Sequence, residues 1–171
     1  LEGVSTIQYS DDGYQGIYCE SESTLMIQGT GENASLAFSG FHDIGYGIQS
    51  NGGCVIQNVM LTSSDSVPAF GLISCGQALV ISDSTIQVDG SNGVFSTSET
   101  AEVTRSTITL TGQDDNNSSD AAMWANRDLT LTDTTVEMER LLVSEFGSAV
   151  KSASGDVTLS GKTSITIGEP L

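Results

Sequence analysis

The feature that most limits the folds open to this chain is an internal repeat. Six segments open alike, with a small residue followed by alternating apolar and polar positions. They are GIYCES at Gly16, GIQSNG at Gly47, GLISCG at Gly71, GVFSTS at Gly93, AMWANR at Ala122 and AVKSAS at Ala149, at intervals of 31, 24, 22, 29 and 27 residues. Repeats of this length are typical of stacked units that share one core.

Each opening leads to a second segment in which two apolar positions alternate with polar ones before a small or polar turn residue. These segments are LMIQG, CVIQN, LVISD, AEVTR, LTLTD and VTLSG, ending at Gly29, Asn58, Asp83, Arg105, Asp133 and Gly161. A third alternating pair follows in most repeats, as in Ile86 with Val88 or Ile108 with Leu110. The last repeat reaches its pair one residue late, and the first repeat fits this third position poorly.

Three short strands per repeat predict an all-β chain, a right-handed parallel β-helix of about six coils wound around a triangular core. An antiparallel sandwich also has short alternating strands, but it does not need the same residue at the same point of every repeat. Strict hexapeptide coils, which would favour a left-handed helix, are absent from the sequence. We expect residues 1–171 to form one domain, a piece of a larger surface protein, with residues 1–15 adding a partial coil or a cover.

Period-two alternation assigns the faces of the first strand. The predicted inner ladder is Ile17, Ile48, Leu72, Val94, Met123 and Val150, beside a ladder of small residues at Cys19, Ser50, Ser74, Ser96, Ala125 and Ser152. The predicted outer positions are Tyr18, Gln49, Ile73, Phe95, Trp124 and Lys151. The second strand would present Met26, Val55, Val80, Glu102, Thr130 and Thr158 outward.

The net charge of the chain restricts the classes of partner that it can bind. Five basic residues face 22 acidic ones, giving a formal net charge of -17. Nucleic acid is excluded, because a phosphate backbone requires basic residues that this chain lacks. Anionic membrane surfaces are disfavoured, and no apolar run is long enough to predict membrane insertion. The acidic surface favours cations, so divalent metal is the first small partner to consider.

Three cysteines, without a CxxC spacing, indicate neither a disulfide framework nor a zinc site, and we expect buried thiols.

The strands LVISDSTIQV, EVTRSTITL and LTLTDTTVEM, each following a first-strand opening, resemble those of bacterial extracellular right-handed β-helix proteins of the pectate-lyase-like group. The resemblance covers residues 16 to 167 and is closest to surface proteins that bind calcium and polysaccharide. It implies a bacterial, extracellular or cell-surface location. Members of the group cleave acidic polysaccharides, hydrolyse them or bind surfaces. No contiguous motif of this chain maps onto a lyase site, so the resemblance assigns no catalytic residue.

One loop is a candidate calcium site. The segment GQDDNNSSD places Asp114, Asp115, Asn117 and Asp120 close together, and Ca²⁺ prefers such hard oxygen ligands. The spacing does not match an EF-hand or a GGxGxDxUx repeat, so a solvated turn is the alternative. His42, the single histidine, lies beside Asp43, but a loop histidine without a second one is more often a packing residue.

The outer positions of the first strand suggest a sugar-binding surface. Tyr18, Phe95 and Trp124 are the candidate ligand-binding residues, because sugar rings pack their C–H faces on flat aromatics, and Ile73 would extend the stripe. The segment ERLLVSEFGS could instead cover this stripe. Arg105 and Arg127 could serve an elimination reaction, but pairing with the many carboxylates is the simpler expectation.

These observations favour a non-catalytic extracellular module that binds polysaccharide, with calcium as the expected ion. The alternatives are a polysaccharide lyase or glycoside hydrolase, and a structural spacer of an adhesin. The glycan, the parent protein and the oligomeric state do not follow from the sequence.

Overall fold

A computed structural model of the chain describes residues 1–8, 15–39, 45–64, 71–89, 93–111, 121–139 and 148–168. These residues contain 19 short strands. The strands are β1 (Val4–Gln8), β2 (Gln15–Cys19), β3 (Leu25–Gln28), β4 (Ser35–Ser39), β5 (Tyr46–Ser50), β6 (Cys54–Gln57), β7 (Met60–Ser64), β8 (Ile73–Cys75), β9 (Leu79–Ser82), β10 (Thr85–Asp89), β11 (Phe95–Thr97), β12 (Ala101–Thr104), β13 (Thr107–Thr111), β14 (Ala121–Ala125), β15 (Leu129–Thr132), β16 (Thr135–Met138), β17 (Ser148–Ser152), β18 (Val157–Ser160) and β19 (Ser164–Ile167).

The strands form three parallel sheets, because each strand pairs with the strand three places before it and the strand three places after it along the chain. Sheet 1 has the order β1-β4-β7-β10-β13-β16-β19, sheet 2 the order β17-β14-β11-β8-β5-β2, and sheet 3 the order β18-β15-β12-β9-β6-β3. The chain therefore winds through sheets 2, 3 and 1 once per coil, with one hydrophobic core inside. The predicted class, an all-β parallel β-helix with three strands per coil, is confirmed.

Sheet 3 follows the predicted register through all six coils. Its inner ladder begins at Ile27 and continues through Ile56, Ile81, Val103, Leu131 and Leu159. Its outer positions are Met26, Val55, Val80, Glu102, Thr130 and Thr158, as the alternation predicts. The side chains of Ile56, Ile81 and Leu131 are fully buried.

The predicted turn after sheet 3 is also present and has a fixed backbone geometry. Asn58, Asp83, Arg105 and Asp133 all have positive φ, between 47° and 52°, and Gly161 has φ of 64°. Asn and Asp tolerate this left-handed conformation better than most residues, whereas Arg105 adopts it at a steric cost. Backbone hydrogen bonds from each turn residue to the next coil, such as Arg105 N to Thr132 O at 2.9 Å, hold the turns in register.

Behind this turn the coils share a ladder of buried hydroxyl groups, Ser84, Ser106 and Thr134, followed by Thr163. The hydroxyl of Ser84 donates to Ser82 O at 2.7 Å, and the hydroxyl of Ser106 donates to Thr104 O at 2.9 Å. The hydroxyls of Ser84, Ser106 and Thr163 also accept from the preceding coil, as in Ser84 N to Ser106 Oγ at 3.2 Å. The ladder thus satisfies backbone groups at a buried corner, which would otherwise destabilise the fold.

Sheet 2 departs from the predicted register in its third and fourth coils. Its inner ladder is Ile17, Ile48, Ile73, Phe95, Met123 and Val150, followed by Cys19, Ser50, Cys75, Thr97, Ala125 and Ser152. The predictions that Leu72 and Val94 belong to the first ladder, and that Ser74 and Ser96 belong to the second, are wrong. The prediction that Ile73 and Phe95 face outward is wrong for the same reason.

The predicted register is wrong because two successive residues are buried at the beginning of these two sheet 2 strands. Leu72 and Ile73 are both fully buried, and so are Val94 and Phe95, so alternation cannot decide which of each pair faces the core. Leu72 aligns with Gly47, and a Cβ on Gly47 would lie 2.5 Å from a methyl carbon of Leu72. Glycine at position 47 therefore gives the Leu72 side chain its space.

A disulfide joins Cys54 to Cys75, with the two Cα atoms 6.2 Å apart. Cys75 lies on the inner side of sheet 2, and Cys54 begins β6 in sheet 3, so the bond connects neighbouring coils at the corner between these sheets. The expectation of buried thiols is wrong for this pair. Cys19 remains a free, partly exposed cysteine.

Sheet 1 begins with β1, which pairs in parallel with β4 and adds a partial coil before the first full one. The first repeat does have a third strand, because Leu36 and Phe38 of β4 align with Leu61 and Ser63 of β7. Phe38 is a large aromatic at a position that is aliphatic or small in the next coils, which hid the match in the sequence.

Within the described ranges, no helix is long and apolar enough to cross a membrane.

Candidate functional site

The outward positions of sheet 2 form one continuous row across all six coils, which we call the sheet 2 outer row. It consists of Tyr18, Gln49, Ser74, Ser96, Trp124 and Lys151. Neighbouring strands lie about 4.8 Å apart, so four steps separate Tyr18 from Trp124 by roughly 19 Å. Between these aromatics the row presents one amide and two hydroxyl groups, none of them charged.

The two aromatic residues keep an accessible surface. Tyr18 is 49% exposed, and Trp124 is partly exposed. The Nδ2 group of Asn51 donates to the hydroxyl oxygen of Tyr18 at 3.3 Å, which orients the phenol ring. Tyr18 and Trp124 therefore lie on the predicted face, where they can contact a ligand.

Phe95 does not belong to this surface. Its side chain is 2% exposed and packs in the core between the aligned residues Ile73 and Met123. The continuous stripe of Ile73, Phe95 and Trp124 is therefore absent, and aromatic contact is restricted to the two sides of the polar segment. Ser74 and Ser96 occupy the outer positions that the sequence interpretation gave to Ile73 and Phe95.

The residues that sequence reasoning missed are thus Ser74 and Ser96, and a signal for them exists. The turn from sheet 2 to sheet 3 has three residues in four successive coils, such as Gly76 to Ala78 and Ser98 to Thr100. Counting back from the sheet 3 strands across this constant turn places Cys75 and Thr97 inward. Their preceding residues then face outward.

The outer surface of sheet 1 holds a shallow groove of about 350 Å³ beside Thr62, Gln87, Thr109 and Asp89. Thr111 donates to a carboxylate oxygen of Asp89 at 3.1 Å. A second hollow, of about 430 Å³, lies near β1 and includes Glu32, Met60 and Asp83 in its lining. Neither hollow contains an aromatic side chain among its lining residues.

Arg105 is committed to an ion pair at the turn after sheet 3. Its Nε and Nη2 atoms donate to the two carboxylate oxygens of Asp83 at 2.7 and 2.8 Å, a bidentate arrangement. This hydrogen bonding holds the pKa of Asp83 below its ordinary value and raises the pKa of Arg105. Asp133, in the next coil, adds a smaller electrostatic contribution to the same shift of Arg105.

Arg127 forms a similar pair in the turn between sheets 2 and 3. Its Nε lies 2.8 Å from a carboxylate oxygen of Glu99, one coil away. The expectation that both arginines pair with carboxylates along the outside of the coils is therefore confirmed. Such exposed pairs contribute little to stability.

The candidate calcium ligands Asp114, Asp115, Asn117 and Asp120 lie outside the described residues, as do His42 and Asp43. Within the part of the chain that is described, no group of three or more His, Cys, Asp or Glu side chains is arranged to hold a metal ion. The calcium prediction therefore stays a prediction.

The geometry defines a class of protein: a parallel β-helix with a polar, aromatic-flanked row along one outer face. Comparison of the chain with protein-family models, with curated proteins and with solved structures finds no match.

Proposed function

We propose that this chain is a non-catalytic, extracellular β-helix module of a bacterial cell surface that binds an extended polysaccharide along the sheet 2 outer row. The observation that carries the proposal is the pair of accessible aromatics, Tyr18 and Trp124, on both sides of Gln49, Ser74 and Ser96. Aromatic rings offer flat surfaces for the C–H faces of sugars, and the polar groups between them offer hydrogen bonds to hydroxyls.

The regular spacing of the row supports an extended ligand. Each coil contributes one side chain at a spacing of about 4.8 Å, so a chain molecule lying parallel to the solenoid axis meets a regular series of contacts. Such contacts add over a long ligand even when each one is weak.

The disulfide supports the proposed location. Bonds such as Cys54–Cys75 form and persist in oxidising compartments, which include the exterior of bacteria, and are rare in the cytosol. The high negative charge is consistent with a protein that stays soluble at a crowded surface.

The test is a glycan-array screen with and without calcium, followed by affinity measurements on variants. Trp124→Ala and Tyr18→Ala should each weaken binding about tenfold or more, because buried aromatic contacts dominate such interfaces. Met26→Ala is the matched control, since Met26 is 59% exposed but lies on the outer face of sheet 3. Unchanged affinity in both aromatic variants, or an equal loss in the control, would contradict the proposal.

Calcium enters the proposal through the segment that contains Asp114, Asp115, Asn117 and Asp120. An ion that binds only the native state stabilises it by about 2.7 kcal/mol at a hundredfold excess over Kd. We expect millimolar calcium to raise the melting temperature more than sodium of equal ionic strength, and Asp114→Ala with Asp115→Ala to remove most of that difference. Equal responses to the two salts would remove calcium from the proposal.

The enzyme alternative, a lyase or hydrolase acting on the same material, requires a basic residue and carboxylates gathered at a groove. Among the described side chains, Arg105 and Arg127 each pair with one carboxylate on the outside of the coils. The structural-spacer alternative predicts no glycan affinity at all, so the same screen separates it from the binding module.

A further inference from the structure

The charges of this chain are distributed unevenly along its length. All five basic residues lie at or after position 105, namely Arg105, Arg127, Arg140, Lys151 and Lys162. Every charged residue among the first 104 is acidic, and these residues are Glu2, Asp11, Asp12, Glu20, Glu22, Glu32, Asp43, Asp65, Asp83, Asp89, Glu99 and Glu102. Three of the six coils that carry the sheet 2 outer row, those of Tyr18, Gln49 and Ser74, therefore contribute negative charge and no positive charge.

The border of the row repeats this imbalance. The turn that joins sheet 2 to sheet 3 runs alongside the row and carries Glu20, Glu22, Glu99, Asp128 and Asp156 against Arg127 alone. Arg127 is already paired with Glu99 at 2.8 Å. Lys151 is the one cation of the row itself, and it lies beyond Trp124, one step outside the segment that the two aromatics enclose.

The floor of the enclosed segment is suited to hydroxyl groups. Gln49, Ser74 and Ser96 present an amide and two hydroxyls, which can both donate to and accept from a sugar hydroxyl. A sugar carboxylate only accepts hydrogen bonds, and it is bound most strongly by charged donors, which this segment does not offer. A polyuronate would bring a carboxylate with every residue to a surface of the same sign, and like-charge contacts select against a partner.

We infer that the polysaccharide bound on the sheet 2 outer row is a neutral one, an uncharged chain of hydroxyl-bearing sugars rather than a polyuronate. This inference rests on the proposed function and specifies its ligand. It departs from the acidic substrates that the resemblance to the pectate-lyase-like group implies. Negative charge beside the row then acts as a filter that leaves neutral chains as the accepted ligands.

The experiment measures the affinity of the 171-residue chain for two neutral probes, galactomannan and a mixed-linkage β-glucan, and for polygalacturonate. Each titration is run in chelator at low salt and at physiological salt, and in millimolar calcium. We expect a neutral probe to bind with an affinity that changes less than about twofold with salt, because screening acts on charge pairs. Polygalacturonate should bind at least about tenfold more weakly in every buffer.

Two variants make the result specific to the row. Trp124→Ala should remove most of the affinity for the neutral probe. Replacing Ser74 and Ser96 together by Lys should raise the affinity for polygalacturonate by about tenfold or more at low salt and should make it salt-sensitive. Met26→Ala serves again as the control on another face, and circular dichroism confirms that each variant keeps its β structure.

The outcomes separate the inference from the proposed function. Preferential binding of polygalacturonate that depends on Trp124, whether in chelator or only with calcium, would overturn the inference and leave the proposed function intact. Binding of none of a broad panel of glycans would overturn both. Preference for a neutral chain that depends on Trp124 would support both.

Discussion

Phe95 and Tyr18 offer a direct test of the register of sheet 2. Both are aromatic residues at the third position of a repeat opening, yet Phe95 is 2% exposed and Tyr18 is 49% exposed. We predict that Phe95→Ala strongly destabilises the protein, whereas Tyr18→Ala leaves its stability nearly unchanged.

The expected magnitudes follow from burial. Removing a buried phenylalanine side chain costs about 3–5 kcal/mol, through lost transfer free energy and the cavity left between Ile73 and Met123. In a chain of this size, each kcal/mol lowers the melting temperature by about 2–4 °C, so Phe95→Ala should lower it by roughly 6–20 °C. An exposed substitution such as Tyr18→Ala should change the free energy of unfolding by at most about 0.5 kcal/mol.

The assay is urea unfolding followed by far-ultraviolet circular dichroism, with thermal melting as a second measurement. Leu72→Ala and Ser74→Ala bracket Ile73 on the neighbouring strand and should show the same contrast between a fully buried and a partly exposed residue. If Phe95→Ala unfolds at the same urea concentration as the unsubstituted protein, Phe95 is not in the core and this register of sheet 2 is wrong.

Three further predictions concern the core, the disulfide and the turn. Ile81→Asp should abolish cooperative folding because it places a carboxylate in the buried ladder of sheet 3. Val80→Asp, one residue away on the outer face, should still fold. A soluble Ile81→Asp protein that melts cooperatively would contradict the inward assignment of Ile81. Replacing Cys54 and Cys75 by Ser should lower the free energy of unfolding by about 3 kcal/mol, because the disulfide closes a loop with a sequence separation of 21. The control Cys19→Ser should have little effect. Equal melting temperatures with and without reductant would argue against the disulfide. The pKa of Asp83 is lowered in the folded state, so its pair with Arg105 should stabilise the protein above the ordinary pKa of 3.8 and lose this contribution as the pH falls through the lowered value. The small difference in melting temperature between the unsubstituted protein and Asp83→Asn should therefore vanish in acid. A difference that grows in acid would refute the assignment of this ion pair.

Much of the fold could be predicted from the sequence because sheet 3 and the turn after it are strictly periodic. The third residue of every sheet 3 strand is apolar and the fourth is polar, and the turn residue is Asn, Asp or Gly where a positive φ is needed. Arg105 is the exception, and its place in the turn followed from its position in the repeat rather than from its chemistry.

The register of sheet 2 could not be predicted by alternation, because Leu72 with Ile73 and Val94 with Phe95 present two buried residues in succession. The error then passed from the fold to the site, since it placed Phe95 outside and Ser96 inside. The Cys54–Cys75 bond was hidden for the same reason, as Cys75 faces the interior only in the correct register. An odd number of cysteines gave no indication of which pair would meet.

The most direct test of glycan binding to the sheet 2 outer row is a crystal structure of the chain with a bound neutral oligosaccharide of several sugar units. We predict that the sugar lies along sheet 2, with rings packed on Tyr18 and Trp124 and with hydroxyls hydrogen-bonded to Ser74 or Ser96. Density for the sugar in the groove of sheet 1, beside Thr62, Gln87 and Thr109, with the sheet 2 outer row free of ligand, would contradict glycan binding to this row.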